Sequence, residues 1–129
     1  MSFSYPIKVY YADTDAAQIA YHGRYVSWLE QARIEFLDAI NCPYPTLLEQ
    51  NISLIPVTVK LDYKSPLKLF DRATISLTCT DLNNASLVIS HTFIKDDQVI
   101  TSGYVKLACL HTDSFKPRKL PEELVHALQ

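Results

Sequence analysis

The strongest constraint on this chain is a change of hydrophobic period partway along it. Between Arg24 and Ile40 the residues Tyr25, Trp28, Leu29, Ala32, Phe36 and Ile40 recur at three- and four-residue steps, which predicts one long α-helix. Val26, Ile34 and Leu37 lie off that stripe, so the helix is apolar over more than one face and is expected to be wrapped by sheet or by a partner. The run NCPYP at 41–45 ends it, because proline cannot continue the ladder and restricts the residue before it. From Ile55 onward the period is two. Ile55, Val57, Val59, Leu61 and Tyr63 alternate with polar neighbours and predict a long strand with one apolar face. Ala73, Ile75, Leu77 and Cys79 alternate with Thr74, Ser76, Thr78 and Thr80, a half-exposed strand. Leu87 to Ile94 and Val99 to His111 continue the pattern, and Asn83–Asn84 and Asp96–Asp97 supply hairpin turns. A first strand of about residues 5–12 and a short helix after Pro121 complete the reading. One strand, one helix and four strands make an α+β domain with about five mainly antiparallel strands, one face covered by the helix. Its uncovered edge is expected to pair with a second copy.

At 129 residues the chain has room for one domain spanning 1–129, against the roughly 150 residues of a typical one. Hydrophobic residues at 48% and charged residues at 20% describe a globular chain and exclude a disordered or collagen-like one. No apolar run approaches the ~20 residues that span a bilayer, and the N-terminus lacks a basic-then-apolar leader, so no membrane span is expected. With 12 Lys and Arg against 14 Asp and Glu, and no basic run, nucleic acid is not an expected partner. The two glycines, Gly23 and Gly103, are too few and too far apart for a dinucleotide fingerprint, a phosphate loop or a nucleophile elbow. Cys42, Cys79 and Cys109 form neither a disulfide framework nor a zinc spacing, which fits a reducing cytoplasm. The four histidines have no metal-ligand spacing, so neither metal nor cofactor is expected.

Functional side chains are densest between the first strand and the helix: Tyr11, Asp13, Asp15, Gln18, Tyr21, His22 and Arg24. By residue type alone, both aspartates read as caps or Asx turns. The alternative is that one carboxylate is a nucleophile or general base beside a helix start, where free N–H groups favour developing negative charge.

The stretch VYYADTDAAQIAYHGRY at 9–25, followed by WLEQAR at 28–33, resembles the signature of hotdog-fold acyl-CoA thioesterases of the 4-hydroxybenzoyl-CoA thioesterase-like family, including its Tol-Pal-associated branch. The segment IPVTVKLDYKSPLKLFD at 55–71 is similar to that family's next strand and its Tyr-x-x-Pro turn. The resemblance implies a hotdog fold, one long helix wrapped by a curved antiparallel sheet of about five strands. It also implies a homodimer or homotetramer with sites at the interface and acyl-CoA as substrate. It casts Asp15 as the catalytic carboxylate, Tyr11 and His22 as accessory positions, and the backbone N–H near His22 as oxyanion donor; Asp13 becomes a structural loop residue. Two positions depart from the family pattern. Gln18 stands where glycine is usual, so the loop is expected to forgo glycine's freedom at positive φ and to carry an amide toward the substrate. Arg24 stands where the helix start usually has asparagine, as a contact for a coenzyme A phosphate or an acidic substrate tail, with Lys64 and Lys68 as further phosphate contacts. A non-catalytic acyl-binding module is the alternative function. The motif of a hotdog hydratase is absent.

Overall fold

The computed structural model describes residues 1–129. Five strands, β1 (Ser2–Lys8), β2 (Ile52–Tyr63), β3 (Arg72–Leu82), β4 (Ser86–Lys95) and β5 (Gln98–His111), form one sheet in the order β1-β3-β4-β5-β2. Every neighbouring pair is antiparallel. The long helix α1 (His22–Ala39) lies across this sheet, followed by the short α2 (Tyr44–Glu49), and α3 (Glu122–Leu128) closes the chain. The helical stripe is the buried one. Tyr25, Trp28, Leu29, Ala32 and Phe36 meet Ile75, Leu77, Leu87, Ile89, Phe93 and Leu107 from the inward faces of β3, β4 and β5. Each large side chain so buried contributes about 1.5–3 kcal/mol. Phe3 stacks on Phe36 with ring centroids 5.5 Å apart, which ties edge strand β1 to the helix.

Three expectations shift. The first strand ends at Lys8, not near residue 12, because the Asp13 carboxylate accepts the Tyr10 N–H at 2.8 Å and draws Tyr11–Asp13 into a 3₁₀ turn. Helix α1 ends through Asn41, not through the prolines. Asn41 adopts φ 62°, its N–H bonds the Asp38 carbonyl, and the Cys42 N–H reaches back to Leu37, a Schellman closure. Pro43 instead stands before the first residue of α2. The expected apolar face of β2 also fails beyond Pro56. Ile52 to Leu54 are buried, but a bulge at Val57 and the edge position leave Val57, Val59 and Tyr63 exposed.

Glycine is not what makes the turns. Gln18, Asn41, Asn51, Phe70, Asp96, Asp97 and Phe115 all adopt positive φ. Gly103 is needed for close packing: a Cβ there would stand 1.9 Å from the Lys60 carbonyl oxygen of β2 and 2.9 Å from His91 Nε2 of β4. His91 is 2% exposed with neither ring nitrogen hydrogen-bonded, and burial pushes its imidazole down to about 4.

Candidate active site

The loop from β1 to α1 reverses in two stages, and each stage is closed by one aspartate. Asp13 closes the first. It is 3% exposed, its Oδ2 accepts the Tyr10 N–H, its Oδ1 pairs with Arg24 Nε, and its carbonyl accepts the Tyr21 N–H at 3.1 Å. Asp15 closes the second. Thr14 and Ala20 bridge antiparallel, and the Asp15 N–H bonds the Ile19 carbonyl at 3.0 Å. The Gln18 N–H bonds the Asp15 carbonyl, and Asp15 Oδ1 accepts the Ala17 N–H at 2.9 Å, an Asx turn. The loop is then pinned to the chain before β3 by Ala20 N–H to Leu67 carbonyl at 2.8 Å and Leu69 N–H to Gln18 carbonyl at 3.1 Å.

Beside this turn lies a cleft of about 360 Å³ between the start of α1 and the end of β2, lined by Asp15, Tyr21, His22, Tyr25, Tyr63 and Lys64, with Pro66 at its side. Asp15 is exposed and its Oδ2 has no partner within the chain. The Tyr21 and Arg24 N–H groups are bonded, but those of His22 and Gly23, the first two residues of α1, meet no acceptor in the chain. Tyr63 donates to the His22 carbonyl at 3.4 Å and packs edge-on against Tyr25, ring centroids 5.0 Å apart. Burial raises both phenols, so both remain protonated at neutral pH.

The expected site residues therefore separate. Asp15, His22 and Lys64 share the cleft. Arg24 does not reach it: paired with Asp13, it lines a second groove on the other side of the loop. Tyr11 stands outside the lining, 69% exposed, with its ring edge-on to Phe70 at 5.6 Å. Gln18 and Lys68 are also outside it; the Lys68 N–H is held by Asp71 Oδ2 at 2.8 Å. Contrary to expectation, Gln18 keeps the positive φ that glycine takes easily, at 61°, so the loop accepts strain there. Tyr63 and Tyr25 are cleft residues that pattern alone assigned to a strand face and a core stripe. The available signal was Tyr63 itself, an aromatic at the end of an edge strand and at the head of the Tyr-x-x-Pro turn. No three His, Cys, Asp or Glu side chains gather as a metal ion would require. No helix is long and apolar enough to cross a membrane.

A carboxylate with one free oxygen, facing a partly apolar cleft beside unengaged N–H groups, can act as base or nucleophile on a carbonyl whose developing oxyanion those donors accept. The model of the thioesterase-like superfamily matches residues 9–128. The acyl-CoA thioesterase YbgC of Haemophilus influenzae is 32% identical over 123 residues, 95% of this chain and 90% of that protein. The structure of a gentisyl-coenzyme A thioesterase is similar with TM-score 0.91 at 28% identity, covering 98% of this chain and 100% of that one. That of a hypothetical protein from Aquifex aeolicus gives 0.93 at 25%, covering 98% and 99%. By the extent of these matches, and by the sheet order and single long helix that carry the loop, the chain belongs to the thioesterase-like superfamily and has its hotdog fold.

Proposed function

We propose that this chain is an acyl-CoA thioesterase in which Asp15 is the catalytic carboxylate. The observation that carries this reading is the free Asp15 Oδ2 in a cleft shared with the unengaged N–H groups at the start of α1. The Asp15 carboxylate takes a proton from water as the water oxygen attacks the thioester carbonyl. The His22 and Gly23 N–H groups hold the resulting oxyanion, the C–S bond breaks, and the thiolate leaves with a proton as free coenzyme A. In the nucleophilic variant Asp15 attacks the carbonyl itself, and water then hydrolyses the mixed anhydride. Hydrolysis in ¹⁸O-water under single turnover separates the two, because only the nucleophilic route transfers label into Asp15.

His22 contributes its backbone and shapes the cleft mouth, and Lys64 supplies a cation at the rim for substrate phosphate. Gln18 and Lys68 flank the same loop as further contacts. The accessory role carried over to Tyr11 draws no support from the cleft lining, and Tyr11→Phe tests it directly. A homodimer or homotetramer is part of the same reading: edge strand β2 leaves a row of unpaired backbone groups beside exposed Val57, Val59 and Tyr63, a surface suited to a second copy. Sedimentation measures it.

The deciding experiment is thiol release from short, long and aromatic acyl-CoAs by wild type and Asp15→Asn. Turnover that disappears only in the variant supports the enzyme. Acyl-CoA binding without thiol release from either supports the acyl-binding module instead.

A further inference from the structure

The groove on the far side of the Asp13–Asp15 loop has a chemistry that the hydrolytic cleft does not use. It encloses about 520 Å³ between β1 and the first half of α1, a volume suited to a small ligand. Lys8, Arg24 and Arg72 supply three cations to its wall; Tyr5, Tyr10 and Trp28 supply aromatic surface. The one carboxylate present, Asp13, is already engaged by Arg24 and the Tyr10 N–H. Lys8 and Arg72 face each other directly across the β1–β3 pair, and like charges in that position destabilise a sheet. Neither belongs to any of the chain's three ion pairs, which join Arg24 to Asp13, Lys60 to Asp62 and Lys95 to Asp71. Lys8 Nζ instead sits 5.5 Å from the centroid of the exposed Tyr10 ring. No carboxylate within the fold neutralises this opposed pair.

We propose that the groove is a binding site for an organic phosphate carrying an aromatic ring, that is, a nucleotide-like anion. Arg72 offers a planar fork to phosphate oxygens and Lys8 a point charge beside it, while the Tyr10 ring offers a stacking face. The assignment is independent of the thioesterase reading, since it concerns a different groove and its binding titration does not require turnover; only the choice between the two sources does. The anion has two possible sources: a free nucleotide, or the nucleotide end of coenzyme A.

The test uses the full chain and the variant carrying Lys8→Gln and Arg72→Gln, with calorimetric titration of adenosine 3′,5′-bisphosphate and of inorganic phosphate. Wild type binds the bisphosphate more tightly than inorganic phosphate, and the double variant weakens bisphosphate binding on the order of tenfold or more. The melting temperature of the double variant stays level or rises, because an opposed pair of like charges has been removed. Kinetics then assign the source. If the variant raises KM for acyl-CoA but not for an acyl-pantetheine, the groove takes the nucleotide of the substrate; if both KM values are unchanged while bisphosphate binding falls, it takes a separate nucleotide. The proposal is overturned if wild type binds no bisphosphate at millimolar concentration, if the double variant binds it as tightly as wild type, or if the variant melts lower.

Discussion

Asp13 and Asp15 are separated by one residue, and the chain puts them in opposite surroundings. Asp13 is buried, with one oxygen on an arginine and the other on a backbone N–H, so its bonding capacity is spent within the loop. Asp15 is exposed, lines a cleft, and holds its turn with a single oxygen, leaving the other without a partner in the chain. The difference teaches that in a pair of loop carboxylates the one left for chemistry is the one the fold has not consumed. Residue type and spacing do not distinguish them; the cationic partner does.

The comparison can be broken by experiment. The largest effect belongs to Asp15→Asn, which should lower kcat by about 10²–10⁴ while stability stays within ~0.5 kcal/mol of wild type; thiol release and denaturant unfolding on the same preparation read both. If Asp13→Asn instead costs more in kcat at matched folding, the two roles are reversed. Asp13→Asn should lower stability by about 1–3 kcal/mol, the lower half being the better expectation because the Arg24 side chain is 32% exposed and water screens the pair. Arg24→Gln should cost a similar amount, and the double variant less than the sum.

Acidification separates stability from chemistry. The native His91 imidazole refuses a proton down to about 4, whereas the unfolded chain accepts one near the ordinary 6.5. Stability contributed by neutral His91 is therefore present above pH 6.5 and is lost as the pH falls from 6.5 toward 4, at a limiting slope of about 1.4 kcal/mol per pH unit. The same slope should appear in Asp13→Asn and Asp15→Asn, and His91→Gln should flatten it. The smallest effect is Gln18→Gly, which relieves a left-handed residue while giving the unfolded chain more freedom. A net gain of about 0.5 kcal/mol is expected, with turnover retained if the amide makes no substrate contact.

Much of the fold was legible because period-two alternation and hairpin chemistry are local signals: β3, β4 and β5 and their two turns lie where the pattern put them. The errors arise where a distant or side-chain partner decides. Tyr10 and Tyr11 continue the alternation of β1, yet a carboxylate three residues on captures the Tyr10 N–H. Val57 and Val59 alternate correctly but sit on an edge strand beyond a bulge. In the site, the short-range cluster of Asp15 with His22 was readable from the loop and the helix start. The meeting of His22 with Tyr63, 41 residues away, and the capture of Arg24 by Asp13 on the other side of the loop required the folded chain.

The left-handed turn residues bear on how far this chain can be improved. Among seven non-glycine residues at positive φ, two are phenylalanines, Phe70 at 69° and Phe115 at 59°, bulky side chains for which that conformation is unusual. Phe70 touches Tyr11 beside the Asp13–Asp15 loop, but Phe115 is 62% exposed in the turn that follows β5. Directed evolution toward heat tolerance would therefore find room at the chain's corners: asparagine or glycine at position 115 is a change of about 1 kcal/mol or less, worth a few degrees in a domain of this size. The core and the cleft need not be touched.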